Sequence, residues 1–495
     1  MSLQFITGGS GAGKSEYLSR LVCEESVRRP HDNFIVVVPE QYTMETQKKL
    51  VHMHSRKGIL NIDVVSFERL AYKVFEELGG GNRPVLDDTG KNLIVRRVLE
   101  KEKKKLDYFG SSIEKTGFVS ELKSVISELL QYGITPQQLG EIGENVKEKQ
   151  QLSAKLKDIR LVYKEFMAFL STNYITSEEI LDVLCGLVEK SKLIAGSEII
   201  FDGFTGFTPI QYKLMRLLLV YSKGIKISVT IDKKERPTGH EGWNNLFFMS
   251  KEMMNRLIAI CEEEGINVDD TVCVDRDINY RYEGAKDLAY LERNLFRYKG
   301  GVYTGTPENI RIYEGSNPKE ELQYIVSEIL QLTRKEGFRY RDIAVVTADL
   351  ETYGKVAANM MKQNDIPAFL DYKRSVAANP YVEMLCSALE IVEKGYPYDT
   401  MFRYLRTGLT GISRHDIDML ENYCLAVGIR GSRAWHEPWE KKMKRSTYQP
   451  ELETLNALRE QIMAPFLNLE AVLKDKEANV RAYVTAVYEF VTALH

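Results

Sequence analysis

The sequence predicts an α/β fold in which parallel sheets carry helical insertions. Short β-branched runs, such as FIVVVP at 34–39, alternate with amphipathic helical patterns in the first third of the chain. A glycine-rich loop, GGSGAGKS at 8–15, separates the first of these runs from the first helical pattern. A second alternating series begins near residue 309. Together these observations predict two α/β units in one chain of 495 residues.

The composition limits the classes of function. The chain has 67 Lys and Arg against 70 Asp and Glu, so a nucleic-acid contact must use local patches and not an overall positive field. No apolar run is long enough to span a membrane, and the first residues lack a secretory pattern. The six scattered cysteines form no C-x-x-C pair, which indicates reduced thiols. We therefore expect a cytoplasmic protein that has no membrane association.

The first α/β unit is predicted over residues 1–85 and 192–300. Its strand candidates are short and apolar, and they lie at 3–7, 34–39, 59–67, 197–204 and 224–231. Between the last two, TPIQYKLMRLLLVYS predicts a helix with Thr208 as N-cap and Pro209 at its first position. Strands that alternate with helices favour parallel pairing through right-handed crossovers.

The remaining chain is predicted as three further regions. Residues 86–191 carry long amphipathic patterns, which predict a helical insertion. Residues 301–380 begin the second α/β unit, with a helix capped by Asn317. Residues 381–495 are predicted to be a second helical insertion, and its last helical pattern runs to the final residue, so we expect a truncated C-terminus. The strand candidates of the second unit are 309–315, 342–348 and 366–371.

The glycine-rich loop fits the pattern G-x-x-x-x-G-K-[ST] of phosphate-binding loops. Such a P-loop points consecutive backbone N–H groups into one concavity at a helix N-terminus, where the helix dipole also favours an anion. The Lys reaches the β- and γ-phosphates, and the following hydroxyl ligates Mg²⁺. The predicted ATP-binding residues are Gly8, Gly9, Ser10, Gly11, Ala12, Gly13, Lys14 and Ser15.

Hydrolysis of a bound nucleotide requires groups that the loop does not provide. An acidic side chain at the end of a neighbouring strand should hold Mg²⁺, and a base should orient the attacking water. Asp202 follows the apolar strand candidate EIIF and is predicted to share Mg²⁺ with Ser15, while a plain strand-end turn is the alternative. Glu198 precedes that strand and lies too far along it to serve as the base beside Asp202, at about 3.3 Å per residue.

The stretch DGFTGFTPIQ at 202–211 resembles motif II of the UvrD-like superfamily 1 helicases, where the strand is followed by D-E-x-Q-D-T. Asp202 holds the Asp position, whereas Gly203 stands in the position of the family's catalytic Glu. Residues 38–50 are similar to motif Ia and residues 64–79 to the T-F-H stretch. Residues 309–371 are similar to the opening of the second helicase domain. The resemblance thus implies two RecA-like P-loop domains with helical insertions, the UvrD-like helicase architecture.

Among these helicases, this chain is similar to the AddB family, because it begins with MSLQFITGGSGAGKS and has lost part of motif II. The resemblance implies a subunit that pairs with an AddA-type helicase–nuclease and processes double-strand DNA ends for recombination. It implies ATP and Mg²⁺ as cofactors and DNA as a further partner. The nuclease domain and the iron–sulfur cluster of the family are expected only in the full-length protein, outside this chain.

The same resemblance implies that the helicase site is not intact. Gly203 replaces the general base, and Thr347, Ala348 and Asp349 stand where the family carries an Arg that contacts the γ-phosphate. We therefore expect a subunit of a hydrolase complex that binds ATP without acting as a motor. An active, DNA-stimulated P-loop ATPase or helicase is the alternative.

Two aromatic residues are DNA-binding candidates by their positions in the resemblance. Tyr42 lies in the motif Ia position and Phe67 in the T-F-H position. Stacking of a base on an aromatic ring is worth about 1–3 kcal/mol. Packing in the core is the alternative for both rings.

Overall fold

The computed structural model describes all residues except 80–83, 114, 116, 147, 177–178, 236–241, 298–300, 371–375, 443–449 and 495. The chain divides into two compact units, Met1–Ile312 and Tyr313–His495. Within the described residues, no helix combines the length and the apolar character that a bilayer span requires.

A parallel sheet forms the centre of the first unit. The strands, in chain order, are β1 (Ser2–Gly8), β2 (Asn33–Val37), β3 (Ile62–Val65), β4 (Val85–Leu86), β5 (Ile175–Thr176), β6 (Ser197–Phe201), β7 (Gly224–Thr230), β8 (Asn267–Val268) and β9 (Val272–Cys273). The sheet has the order β3-β2-β6-β7-β1-β8, and β9 also pairs with β1. Every pairing is parallel. The prediction of a parallel sheet in this unit is confirmed.

Parallel pairing places the ends of the central strands at one edge of the sheet. Gly8 at the end of β1 pairs with Thr230 of β7, and Phe201 at the end of β6 pairs with Ile227, which also belongs to β7. Because β7 lies between β1 and β6, the segments that leave these two strands begin near each other. Open parallel sheets bind their ligands at this kind of edge.

Helices cover both faces of this sheet and form a separate insertion. The helices of the first unit are α1 (Lys14–Arg28), α2 (Thr43–Met53), α3 (Phe67–Leu78), α4 (Asp88–Glu102), α5 (Phe118–Gln131), α6 (Pro136–Asn145), α7 (Gln150–Asn173), α8 (Ile180–Cys185), α9 (Lys192–Ala195), α10 (Pro209–Tyr221), α11 (Phe248–Glu264) and α12 (Lys286–Asn294). The N-cap prediction for α10 is confirmed, since Thr208 is the N-cap, its N–H donates to Oε1 of Gln211 at 2.9 Å, and Pro209 starts the helix.

Helices α4 to α7 form the helical insertion and have a core of their own. Val95, Leu99, Val162 and Phe166 are fully or almost fully buried in it. The two-residue strands β4 and β5 pair in parallel where the insertion begins and ends. The following helix α8 was predicted as part of the insertion, but its apolar side chains pack in the core of the large sheet.

The described part of the second unit is helical. Its helices are α13 (Pro318–Lys335), α14 (Leu350–Gln363), α15 (Pro380–Lys394), α16 (Tyr398–Leu405), α17 (Arg414–Val427), α18 (Ser432–His436), α19 (Leu452–Lys474) and α20 (Val480–Thr492). The predicted cap of α13 is confirmed, because the side chain of Asn317 accepts from the N–H of Glu320 at 3.0 Å. Helices α13 and α14 share one small core, and α15 to α20 share a larger one.

The strands predicted for a second parallel sheet are not formed within the described residues. In the described residues of 309–315, 342–348 and 366–371 no strand is formed, although Ile343 has extended backbone angles. Ile312 is 95 % exposed, Val346 92 % and Phe369 90 %. A β-branched pattern favours an extended backbone, but a strand also needs a neighbour to accept its hydrogen bonds, and no described segment provides one.

Candidate nucleotide-binding site

The P-loop connects β1 to α1, as predicted. Gly11 and Gly13 have left-handed φ angles of +71° and +95°, and Gly13 is the N-cap of α1. A Cβ at Gly8 would lie 3.0 Å from the Cβ of Ala12, so the loop is closed tightly on itself. Glycine is the residue that adopts these angles without steric cost, which explains how the sequence forms a tight anion-binding loop at this point.

Lys14 lies in a charged and largely dehydrated environment. Its Nζ donates to the carbonyl oxygens of Gly8 and Gly9, both at 2.9 Å. Burial lowers the pKa of Lys14, and the charge of Arg281 lowers it further, while Asp202 and Asp275 oppose the shift. The ammonium group is therefore near the carboxylate of Asp202, which lies 188 positions later in the sequence.

Asp202 follows β6 directly and is held in place by the neighbouring strand. Its Oδ1 accepts a hydrogen bond from Oγ of Ser228 at 2.6 Å, and its N–H donates to the carbonyl of Val37 at 3.1 Å. Ser15 is exposed at the first turn of α1. The sheet edge thus brings the P-loop and Asp202 together, an arrangement of oxygen donors that fits Mg²⁺ bound with a nucleotide.

Gly203 lacks the carboxylate of a Glu and has a backbone conformation that disfavours one. Its φ is +85°, a left-handed angle that L side chains adopt at a cost of about 1–2 kcal/mol. A Cβ there would approach Cδ of Pro39 at 3.4 Å. The N–H of Gly203 donates to Oγ of Ser228 at 3.4 Å, so the same hydroxyl fixes both residues. The loop is therefore shaped around glycine at the position where the base was expected.

The segment after Gly203 contributes to an aromatic cluster. The cluster consists of Phe67, Phe201, Phe204, Phe207 and Tyr212. The ring centroid of Phe67 lies 5.7 Å from that of Phe201, 5.4 Å from that of Phe204 and 6.1 Å from that of Phe207. Phe207 also contacts Tyr212, at 5.7 Å. Distances of about 4.5–7 Å between centroids are typical of favourable aromatic pairs.

This cluster corrects the prediction that Phe67 contacts DNA. The ring is 8 % exposed and contacts three other rings, so it offers no free face for a base. Core packing, the alternative for this residue, is what the structure shows. Tyr42 is different, because it is 47 % exposed in the short 3₁₀ helix Glu40–Tyr42 that follows β2.

The segment that contains Asn279, Tyr280 and Arg281 covers the P-loop, and the sequence interpretation missed it. Nδ2 of Asn279 donates to the carbonyl of Ser10 at 3.2 Å, and the N–H of Arg281 donates to the carbonyl of Gly11 at 3.3 Å. A Cβ at Gly11 would lie 2.5 Å from the Cβ of Arg281. An arginine therefore lies at the P-loop, whereas Thr347, Ala348 and Asp349 stand where the helicases that this chain resembles carry theirs. The segment matches no helical or strand period, so no local signal marked it.

A carboxylate also contacts the P-loop. Oε1 of Glu292, on α12, accepts a hydrogen bond from the N–H of Ser10 at 3.2 Å. Burial raises the pKa of Glu292, and the charges of Asp275 and Asp232 add to the shift, while the Ser10 hydrogen bond opposes it. These three carboxylates line a cavity of about 240 Å³ together with Gly9 and Arg297.

Glu198 lies at the opposite end of β6 from the site and has a structural role. Its carboxylate is bonded to Arg29 at 2.5 Å and to Lys226. Burial alone would raise the pKa of Glu198, but the hydrogen bonds from Lys226 and Arg29 outweigh it, and the pKa is lowered. The expectation that Glu198 is too distant to act beside Asp202 agrees with this position.

Comparisons with known proteins extend these observations. The family model described as "ADDB, N-terminal" matches residues 5–292, which include the P-loop, Asp202, Arg281 and Glu292. The chain is 41 % identical over 498 residues to the B-type subunit of the ATP-dependent helicase/deoxyribonuclease of Lachnoclostridium phytofermentans. It is 33 % identical over 494 residues to the protein of that name from Clostridium novyi and 35 % identical over 502 residues to that from Clostridioides difficile.

These matches cover 99–100 % of this chain and 43 % of each of the three relatives. The family model covers more than half of the chain, and the P-loop with its neighbouring strands lies inside the matched region. The chain belongs to the AddB family and corresponds to the N-terminal part of its members.

Proposed function

We propose that this chain is the helicase-like region of an AddB-type helicase/deoxyribonuclease subunit, which holds ATP but does not use it to move along DNA. In this proposal it acts in the cytoplasm with an AddA-type partner at broken double-stranded DNA ends during recombination repair. The name shared by the relatives supports the class of activity. In this proposal the nuclease activity in that name belongs to the part of such proteins that this chain does not cover.

The observation that carries the proposal is the contrast between Lys14 and Gly203. Lys14, Ser15 and Asp202 are present at the same sheet edge, whereas Gly203 has a left-handed φ of +85° where a general base is required. Loss of a general base costs about 10²–10⁴-fold in rate. A site of this kind is suited to retaining a nucleotide, and it is poorly suited to repeated turnover.

The residues present fit ATP with Mg²⁺. The backbone N–H groups of Gly11 to Ser15 and the ammonium of Lys14 would hold the phosphates, while Ser15 and Asp202 would hold the ion. The ion would offset the negative charge of the phosphates when bound. The protein itself supplies the orientation, through Ser228, which fixes Asp202 from the neighbouring strand.

One observation favours the competing function, a DNA-stimulated ATPase. Arg281 lies close enough to Lys14 to lower the pKa of its ammonium, and a positive group beside the phosphates is what accelerates phosphoryl transfer in related chemistry. Glu292 is a carboxylate at the same loop. The position of the general base is still held by Gly203, so we prefer the first function.

The test is to measure Mg²⁺-ATP binding and hydrolysis by this chain, with and without single-stranded DNA, beside Lys14→Ala. We expect binding that Lys14→Ala weakens by about 100-fold or more, since a charge-assisted contact to two phosphates is lost. We expect no DNA-stimulated hydrolysis. Turnover that depends on DNA and disappears in Lys14→Ala would establish the competing function.

A further inference from the structure

Glu292 contacts the end of the P-loop that faces the terminal phosphate. Nζ of Lys14, the group that reaches the β- and γ-phosphates in such loops, lies 2.9 Å from the carbonyls of Gly8 and Gly9. A Cβ at Gly9 would lie 3.1 Å from Oε1 of Glu292, and the next amide, that of Ser10, donates to the same oxygen. The amides at the start of α1, which hold the inner phosphates, lie at the other end of the loop.

We infer that Glu292 determines which nucleotide the P-loop retains, because its carboxylate occupies an amide that a terminal phosphate would use. A diphosphate can fill the inner part of the loop while Glu292 keeps its hydrogen bond to Ser10. A triphosphate must displace that carboxylate, since two anions cannot share one N–H donor at hydrogen-bond distance. The inference rests on the proposed nucleotide binding and refines it: the P-loop would retain a nucleoside diphosphate more readily than a triphosphate, and ATP would bind only after Glu292 has left the Ser10 amide.

The structure also provides a second position for the displaced side chain. Glu292 and Arg297 line the same cavity of about 240 Å³. Nη1 of Arg297 is buried and has no hydrogen-bond partner within the described residues, while its Nη2 is bonded to Asp232 at 3.2 Å. A buried, unpaired guanidinium N–H favours a carboxylate acceptor. Arg297 would be the second partner of Glu292 when the terminal phosphate site is filled, because it lines the same cavity and has an unpaired N–H among the described residues.

The same contact connects the nucleotide to α12. Glu292 lies near the C-terminal end of this helix, and Asp287, in its first turn, accepts from the N–H groups of Glu308 and Asn309 at 2.9 and 2.7 Å. Glu292 therefore lies on a helix whose other end holds residues 308–309.

The experiment compares the dissociation constants of Mg²⁺-ADP and Mg²⁺-ATP by calorimetry for the unmodified chain, Glu292→Ala and Glu292→Gln. Glu283→Gln is the matched control, because Glu283 is a carboxylate of the same segment that pairs with Arg276 at 2.7 Å. We expect the unmodified chain and the control to bind ADP at least as tightly as ATP. Glu292→Ala should shift the ratio by about 10-fold toward ATP and leave ADP affinity within about 2-fold.

Glu292→Gln removes the charge and keeps nearly the same side-chain size. It should shift the ratio of the ADP and ATP dissociation constants in the same direction, because the amide is neutral. Thermal unfolding of each variant checks that the fold is retained. If the unmodified chain binds both nucleotides and the ratio in Glu292→Ala is unchanged, the inference is wrong while the nucleotide-binding proposal stands. If the unmodified chain binds neither nucleotide, the inference still requires ATP binding by Glu292→Ala, and its absence overturns both.

Discussion

The P-loop and the segment Asp202–Phe207 lie at the same edge of one sheet, yet they differ in what fills the space around them. The P-loop is contacted by polar groups of Asn279, Arg281 and Glu292. The second segment is fixed by Ser228 and by aromatic rings. The difference shows that the two segments are held by different kinds of contact: polar groups from a distant part of the chain at the P-loop, and the aromatic core at Asp202–Phe207.

The largest expected effect comes from removing a ring of the aromatic cluster. Phe67→Ala should lower the free energy of unfolding by about 3–5 kcal/mol, because it leaves a cavity among Phe201, Phe204 and Phe207. Chemical denaturation of the chain measures this change. Tyr42→Ala is the control and should change stability by less than about 0.5 kcal/mol, since the ring is exposed.

Single-stranded DNA binding by Phe67→Ala and Tyr42→Ala provides a second test of the difference between a buried and an exposed ring. We expect Tyr42→Ala to weaken binding by about 1–3 kcal/mol if its ring stacks on a base. A variant of Phe67 that weakens DNA binding without loss of stability would contradict the assignment of that ring to the core.

The next effect is expected at the P-loop, from Gly11→Ala. A Cβ there meets the Cβ of Arg281 at 2.5 Å and also forces an L residue into φ +71°, so we expect a loss of about 2–4 kcal/mol. Gly79→Ala is a matched control, because Gly79 has φ +77° and no atom of the described residues lies within 4 Å of the added Cβ. Thermal unfolding and Mg²⁺-ATP binding measure both properties.

Only Gly11→Ala should weaken nucleotide binding, since only its Cβ displaces the segment that covers the loop. Equal losses of stability and equal affinities in the two variants would show that Arg281 does not restrict the loop.

The smallest expected effect is that of Gly203→Glu, which restores the residue type of a catalytic base. The left-handed φ should cost about 1–2 kcal/mol of stability, and the carboxylate should not reach a productive position. We therefore expect hydrolysis to stay at the level of the unmodified chain in a DNA-stimulated phosphate-release assay. A rise that disappears in the double variant with Lys14→Ala would show that the loop still tolerates the active conformation.

Parts of the site that depend on local pattern could be predicted from the sequence. The glycine pattern predicts the P-loop, and a buried strand followed by Asp202 predicts the acidic group at the same edge, because parallel strands end together. Arg281 and Glu292 could not be found in this way, since they reach Gly11 and Ser10 across more than 260 residues of sequence. Phe67 was ambiguous because an aromatic residue after a strand fits both a core and an exposed surface.

The fold shows the same limit. The run FIVVVP predicted a strand correctly, and β3 and β6 provide its partners on either side. The run DIAVVTA at 342–348 has a similar composition, and its described residues form no strand, because a strand is a property of a pair of segments and not of one. Helix caps could be predicted, since the capping contacts of Thr208 and Asn317 are made with residues only three positions away.

The short parallel pair β4–β5 has a consequence for the order of folding. It joins the two ends of the helical insertion. If the insertion folds first, more than half of the chain between β3 and β6 is already ordered, and the loop that must close to bring these strands into one sheet is shorter. The entropy of closing a loop grows with the logarithm of its length, so this shortening is worth about 1 kcal/mol. Two paired residues at each end of the insertion thus allow a sheet with widely separated strands to assemble as though its chain were shorter.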